Sequence, residues 1–351
     1  MKLPRAALVV TADDSTGATE AGAACADAGW NVEVVPFTAD SSAAECVVVD
    51  MRSRHVLRAE AERRTIALLP NTRHVHKIDS TLRGNWAAEL AALVDHGRRI
   101  VLIPSHPSLG RVCIGGVVLV DGVPVAETEH GDDPRLPVRT SRPSDSLDGV
   151  ELDGVDALAG WITGSDHRVA IVDATTLDDI DRLVATALNA PNVVIAGSAS
   201  VVGAVARACA PRTGPPTLPD PLLPPPVVAV CASLHPASRA QIAALVDADV
   251  GVAIVMSSDD RGGDAEAIAT EVAGRAHRLV ETLGAASVIL VGGDTAAAFL
   301  GDAPIAVLGS VATGIGLGEV TLAGRRLRLA TKPGGFGSAN TLVDLLRRAS
   351  Q

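Results

Sequence analysis

Short apolar runs alternate along this chain with longer Ala- and Leu-rich stretches of helical period, and that alternation narrows the fold more than any other feature. The runs fall at 6–11, 31–35, 46–50, 73–78, 99–103, 168–173 and 192–196, then at 227–231, 250–256, 286–291 and 304–308. Helical patterns stand between many of them, as at 86–95, 176–188, 237–247 and 264–283. Strand, helix and strand in succession make a βαβ unit, and repeated units give mainly parallel sheets covered on both faces. The expected fold class is therefore α/β.

One stretch interrupts the alternation. PRTGPPTLPDPLLPPP, residues 211–226, holds eight prolines in sixteen positions. Proline removes backbone donors and stops a helix, so this segment reads as an extended, semi-stiff linker. A chain of 351 residues is also long for a single ordinary core. The expectation is two domains, 1–210 and 227–351, each a mainly parallel sheet flanked by helices, with a cleft between them. Residues 111–150 read as short strands and turns, an insertion over the first domain and a candidate homodimer contact.

The net charge is −11 and aromatic residues are 2%, with no tyrosine. That leaves no basic field or stacking platform for nucleic acid and no polybasic membrane patch. Positive charge for an anionic ligand must be local. The five cysteines are widely spaced without a CxxC, which fits reduced thiols and disfavours a disulfide framework or a zinc site. The apolar runs are too short for a membrane span or a signal h-region, so a cytoplasmic protein is expected.

In open α/β sheets ligands bind beyond the carboxyl ends of the strands. The segments found there are ADDSTGA (12–18), DMRSR (50–54), KIDSTLRG (77–84) and PSHPSLGR (104–111). Together they offer Asp13, Asp14, Asp50, Arg52, Arg54, Lys77, Asp79, Ser80, Thr81, Arg83 and Arg111. Arginine can clamp a carboxylate with two bonds, and aspartate can accept from sugar hydroxyls or take a proton. Each segment also has a plain structural role open to it. Asp14 or Thr16 can cap a helix, Asp79 or Ser80 can cap the helix after KIDSTLRG, and His106 suits a supporting position. The second domain differs in offering CASLHPAS (231–238), GGDTA (292–296), TGIGLGE (313–319) and KPGGFGSAN (332–340). Glycine-rich turns before helices expose N–H groups to anions, and their repetition suggests a polyphosphate site. GxxxxGK[ST], GxGxxG, HExxH and GxSxG are all missing.

Read in order, ADDSTGA, DMRSR, KIDSTLRG, PSHPSLGR, GGDTA and KPGGFG resemble the four-carbon acid sugar kinase family along nearly the whole chain. The resemblance implies an ATP-dependent kinase for threonate, erythronate, 3-oxo-tetronates or related short acids. Its N-terminal domain would hold the sugar acid and its C-terminal domain ATP with Mg²⁺. Carried across, Asp13, Asp14, Arg54, Lys77, Asp79, Ser80, Thr81, Arg83 and Arg111 would bind substrate, with Asp14, then Asp79, as candidate base. Ser233, Gly292, Gly293, Asp294, Thr295, Gly334, Gly335 and Gly337 would bind the nucleotide, with Asp294 orienting metal or nucleotide. The chain departs from the family pattern at Ser15, at Ala232-Ser233, at His106 and in a shorter second domain. Two other classes stay open at this point: a non-catalytic sugar-acid sensor, and a kinase for a branched or different short acid. A dinucleotide dehydrogenase is disfavoured by the missing GxGxxG.

Overall fold

The computed structural model describes residues 6–70, 72–133, 135–211, 216–258 and 264–349. Residues 212–215 of the proline stretch lie outside the described residues. The chain opens with β1 (Leu8–Ala12), α1 (Ser15–Asp27), β2 (Val32–Pro36), β3 (Cys46–Asp50), α2 (Arg58–Ala67), β4 (Arg73–Lys77), α3 (Trp86–Asp95) and β5 (Arg99–Ile103). The inserted segment contributes β6 (Arg111–Ile114), β7 (Val117–Val120) and β8 (Val123–Pro124), a small antiparallel sheet of its own. Then follow β9 (Val150–Leu152), α4 (Gly154–Gly164), β10 (Val169–Val172), α5 (Leu177–Ala187), β11 (Val193–Gly197) and α6 (Ala199–Ala208). Beyond the proline stretch come β12 (Val227–Cys231), α7 (Pro236–Ala248), β13 (Val252–Met256), α8 (Ala265–Leu283), β14 (Ser287–Val291) and α9 (Gly293–Leu300). The chain closes with β15 (Ile305–Ala312), β16 (Ile315–Leu322), β17 (Arg325–Lys332) and α10 (Thr341–Ala349).

Among the described residues fourteen strands join in one sheet, ordered β13-β12-β14-β17-β16-β15-β2-β3-β1-β4-β11-β5-β10-β9. The first half, from β2 to β9, is parallel throughout. In the second half β13, β12, β14 and β17 are parallel, while β17, β16 and β15 run as an antiparallel meander. The α/β class with two mainly parallel halves is thus as expected. Strand β15 also pairs antiparallel with β2, Ile305 opposite Val34. The sheet therefore runs across both halves, and a domain boundary at 211–226 stands as a proposal. No helix among the described residues is long and apolar enough to cross a membrane.

The chain leaves β1 towards β2 and β3 on one side, and then places β4 on the other. That reversal is a topological switch point, where a crevice opens above the strand ends. Helix α1 lies at the centre of the molecule, buried on nearly all sides through Ser15, Thr16, Gly17, Ala18, Thr19, Ala21, Gly22, Ala23, Cys25 and Ala26. Small residues make this packing feasible. A side chain on Gly22 would meet Val307 and Val34 at 3.1 Å.

The same physics corrects one expectation. TGIGLGE was expected as an anion-binding turn, yet it forms the β15–β16 hairpin and the start of β16. Its glycines serve close approach. A Cβ on Gly316 would stand 2.9 Å from Thr19 Cγ2 and 3.0 Å from the Thr19 carbonyl of α1, and one on Gly318 would stand 2.7 Å from Ile305 Cγ2. Strand β17, which carries Lys332 to its end, was likewise not anticipated. Gly316→Val should cost about 1–3 kcal/mol or more by overpacking α1 against β16. Urea denaturation measures it, and an unchanged midpoint would contradict this packing.

Candidate functional site

The strand register sets Ala12, Asp50 and Lys77 side by side, with Gly197 next to Lys77. The loops after β1, β3 and β4 therefore leave the sheet at one level and converge on Arg54. Its Nε donates to Asp13 Oδ2 at 2.6 Å, and Nη1 and Nη2 donate to the two carboxylate oxygens of Asp14 at 3.0 and 2.9 Å. Nη2 also lies 3.6 Å from Asp79 Oδ1. One guanidinium thus binds three aspartates. Gly84, at φ 85°, lets the Arg54 stem pass, since a Cβ there would stand 3.0 Å from Arg54 Cγ.

Asp14 has a second task. It is the N-cap of α1, accepting from Gly17 N at 3.0 Å and from Thr16 Oγ1 at 2.9 Å. Lys77 Nζ reaches to 3.9 Å from Asp13 Oδ1 and lies against Gly17. Asp79 does not cap the following helix, as had been one expectation, and neither does Ser80. Helix α3 starts from Asn85 without a side-chain cap. Asp79 instead closes its own loop, accepting from Thr81 Oγ1 at 2.5 Å, from Arg83 Nε at 2.9 Å and from Arg83 Nη2 at 3.1 Å. Ser80 Oγ accepts from Arg111 Nη1 at 2.5 Å. All nine substrate-site residues expected from the sequence stand in this one cluster.

Burial and charge pull the three acids apart. Burial raises the Asp13 carboxyl above its ordinary value despite Arg54 and Lys77. Burial acts the same way on Asp14, but Arg54 and then Lys77 outweigh it and the net is lowered. Asp79 is held well below the ordinary range, its burial overcome by Arg83 and Arg54. Two polar atoms here are buried with no hydrogen-bond partner among the described residues, Asp13 Oδ1 and Arg111 Nε. Such orphans cost free energy unless a ligand or water meets them.

The second half brings three loops to the same place. The ends of β12, β14 and β17 are level, Val291 pairing with Cys231 and with Lys332. Thr295 Oγ1 accepts from Ala232 N at 3.0 Å and so ties two of these loops. In the turn after β17 the carbonyls are drawn inward. Lys332 Nζ donates to Pro333 O and, at 3.4 Å, to Gly334 O. Ser238 Oγ donates to Gly334 O at 2.7 Å, and Gln241 Nε2 to the carbonyls of Phe336, Gly337 and Ser338 at 2.9, 3.1 and 3.0 Å. Among the described hydrogen bonds none is donated by the backbone N–H of Gly334, Gly335, Phe336 or Gly337, nor of Gly293, Asp294 or Thr295 in the first turn of α9. Side chains would fill the space these glycines leave. A Cβ on Gly334 would stand 3.0 Å from Ser233 Oγ, and one on Gly335 2.9 Å from His235 Nε2. A cradle of free N–H groups at a helix N-terminus suits phosphate.

The two clusters meet. A Cβ on Gly293 would stand 2.7 Å from Asp14 Oδ2, so the starts of α9 and α1 abut. Asp294, 48% exposed, accepts from Arg135 Nη1 at 2.7 Å, and His55 Nε2 lies 3.9 Å away. Asp133 lies 3.6 Å from Arg83. The inserted segment therefore reaches over the seam between the halves. Arg52, left-handed at φ 45°, braces it from the other side through Gly301 O and Asp302.

Sequence reasoning missed Lys332, Gln241, Glu20 and Arg135. Lys332 had a signal: it is one of three lysines and, like Lys77, ends a strand. It is fully buried, and burial lowers its ammonium to about 8.

Residues 8–205 match the family described as sugar-binding N-terminal domain. The chain is 30% identical to a D-threonate kinase of Bordetella bronchiseptica, over 95% of each sequence. It is 28% identical to a D-erythronate kinase of Heliobacterium modesticaldum, over 50% of this chain and 47% of the relative. Among solved structures, a Bordetella bronchiseptica domain of unknown function is similar to it, a domain-swapped dimer with bound citrate. That protein is 26% identical, with 98% of both chains covered and a TM-score of 0.52.

Two outcomes follow from the first cluster. A methyl group at Gly17 would fall on Lys77 Nζ and 2.5 Å from Asp14 Oδ1. Gly17→Ala should therefore displace Lys77 and the Asp14 cap, costing about 0.5–2 kcal/mol of stability and, if this cluster is the working site, lowering turnover about 10²-fold. Turnover close to wild type would contradict the placement. Asp79→Asn should cost on the order of 3–5 kcal/mol, because it strands buried arginine charge. Since the folded carboxyl is depressed, its contribution is complete above the unfolded value near 4 and is lost as pH falls through the folded value. The variant should then lose less stability on acidification than wild type in parallel denaturant titrations.

Proposed function

The chain belongs to the four-carbon acid sugar kinase family and is a phosphotransferase acting on an alcohol group, and we propose that it phosphorylates a hydroxyl of threonate, erythronate or a closely related short sugar acid with ATP. The observation that carries this reading is the abutment of two unlike clusters. A cradle of free backbone N–H groups faces a pocket of aspartates and cations across Gly293 and Asp14. A phosphate donor on one side and a polyhydroxylated anion on the other fit that pair.

In this reading the substrate carboxylate binds Lys77, Arg83 and Arg111. Arg54 is an organiser, since Asp13 and Asp14 already take hydrogen bonds from all three of its nitrogens and Asp79 pairs with it at 3.6 Å. Arg111 has a buried Nε to offer. Asp14 accepts the proton of the attacking hydroxyl. It is the acid that lies against the start of α9, where the transferred phosphoryl would arrive, and it is ionised at neutral pH. Asp79 is turned to Thr81 and Arg83 within its own loop, away from the start of α9 that Asp14 meets, and shapes the pocket instead. Free N–H groups of residues 293–295 and 334–337 receive the phosphates, with Ser233 beside Gly292 and Gly334. Mg²⁺ binds through one or two carboxylates plus phosphate oxygens, and the exposed carboxylate of Asp294, with Asp14 nearby, fits that donor set. When bound, the ion would neutralise charge on the phosphates. Closure of the halves over the reactants would exclude water. The proline stretch 211–226 is proposed as the boundary between the substrate half and the nucleotide half. Homodimerisation is part of the proposal and is supported by the dimeric relative.

Release of ADP from ATP·Mg²⁺ with D- and L-threonate, D- and L-erythronate and 3-oxo-tetronates tests this. Turnover on at least one acid is expected, and Asp14→Asn should reduce it about 10²–10⁴-fold. ATP·Mg²⁺ at about 100 times its Kd should add about 2.7 kcal/mol of stability. No turnover and no stabilisation by ATP would overturn the kinase in favour of a sugar-acid sensor.

A further inference from the structure

Glu20 is a site acid that the mechanism leaves unused. It lies on α1, on the same helix that Asp14 caps. Its Oε1 stands 3.3 Å from Nε2 of His106, and His106 Nδ1 stands 3.0 Å from Ser200 Oγ. His106 is buried, and Glu20 is mostly so. Burial pushes the Glu20 carboxyl up, but the His106 hydrogen bond and the charges of His106, Lys77 and Arg111 bring it below its ordinary value. Glu20 therefore works as a carboxylate. It stands one turn after Gly17, against which Lys77 Nζ lies, and its partner His106 pairs backbone to backbone with Arg111.

Chemistry fixes what such a group can read. An ionised carboxylate only accepts hydrogen bonds. An N–H at His106 Nε2 therefore points at it, and the ring is held between Glu20 and the Ser200 hydroxyl. Among the described hydrogen bonds none reaches Glu20 Oε2. The acid is thus oriented by its neighbours and keeps an acceptor for something else.

We infer that Glu20, set in place by His106 and Ser200, accepts a hydrogen bond from a free hydroxyl of the sugar acid, so that the site takes polyhydroxy acids in preference to their oxo counterparts. This rests on the proposal that Lys77, Arg83 and Arg111 clamp the substrate carboxylate. A hydroxyl against Glu20 makes a charge-assisted bond. A keto oxygen there sets acceptor against acceptor and leaves a buried carboxylate without its donor. His106 and Ser200 are positioning residues, acting through Glu20.

The test is kcat/KM for D-threonate and D-erythronate against the 3-oxo-tetronate, in wild type, Glu20→Gln and His106→Phe. Wild type should favour the better hydroxy acid by about 10²-fold or more. Glutamine keeps the shape but offers an N–H to a keto oxygen, so Glu20→Gln should narrow that ratio at least about tenfold, with the KM for ATP within about twofold of wild type. His106→Phe, which frees Glu20 from its anchor, should narrow it in the same direction by less, and it carries the test if the Gln variant does not fold. An unchanged ratio in both variants, or a wild-type preference for the oxo acid, overturns the inference alone. Absence of turnover on every four-carbon acid would overturn the kinase proposal, and this inference with it.

Discussion

The bonds from Arg54 to Asp13, Asp14 and Asp79 are the interaction on which the rest of this structure depends. Three carboxylates from two strand ends are forced together by the register of β1 and β4. Without a cation among them they could not share a buried site. Arg54 comes from the third converging loop and holds all three. Its own charge is stabilised well above the ordinary range, since Asp13, Asp14 and Asp79 overcome the cost of its burial. Because the pairing uses its donors, the charge available to a ligand comes from Lys77, Arg83 and Arg111. Asp14 is thereby fixed at the start of α1, facing the second half of the molecule.

The second half is arranged differently, with backbone N–H groups left open by side chains that hold the carbonyls. Lys332, Ser238 and Gln241 tie down carbonyls so that N–H groups remain, and under the proposed function those donors would receive phosphate. Both clusters come together because α1 is small-sided. Gly22 and Gly316 let the helix lie close to β2, β15 and β16, and α9 stands against Asp14 at its start. Fold and site are linked through this helix: what makes it central also brings its first turn to the seam.

Much of this was legible in the sequence. Apolar runs at 46–50, 99–103 and 227–231 gave strands with the boundaries observed. The polar clusters after β1, β3 and β4 converge because parallel strands share one carboxyl end. Other parts were hidden for physical reasons. Glycine serves turns and close packing alike, so TGIGLGE resembled a phosphate loop while Gly316 in fact accommodates Thr19. Glu20 lies within a helix and His106 in a proline turn, and only tertiary packing brings them to 3.3 Å. Gln241 acts from a helix on a loop nearly a hundred residues away, with no local pattern to announce it. Asp79 was readable as a cap or as a clamp, and the arginines around it decided for its own loop.

The central claim is that one guanidinium organises the acids for phosphoryl transfer. The most direct measurement is steady-state kinetics of Arg54→Lys with ATP and the preferred sugar acid, with unfolding of the variant followed in parallel. Lysine keeps the charge but cannot bond two carboxylates side by side. The account predicts a folded protein whose kcat falls about 10²-fold or more while its KM for ATP changes little. A folded Arg54→Lys enzyme with nearly wild-type kcat would contradict it.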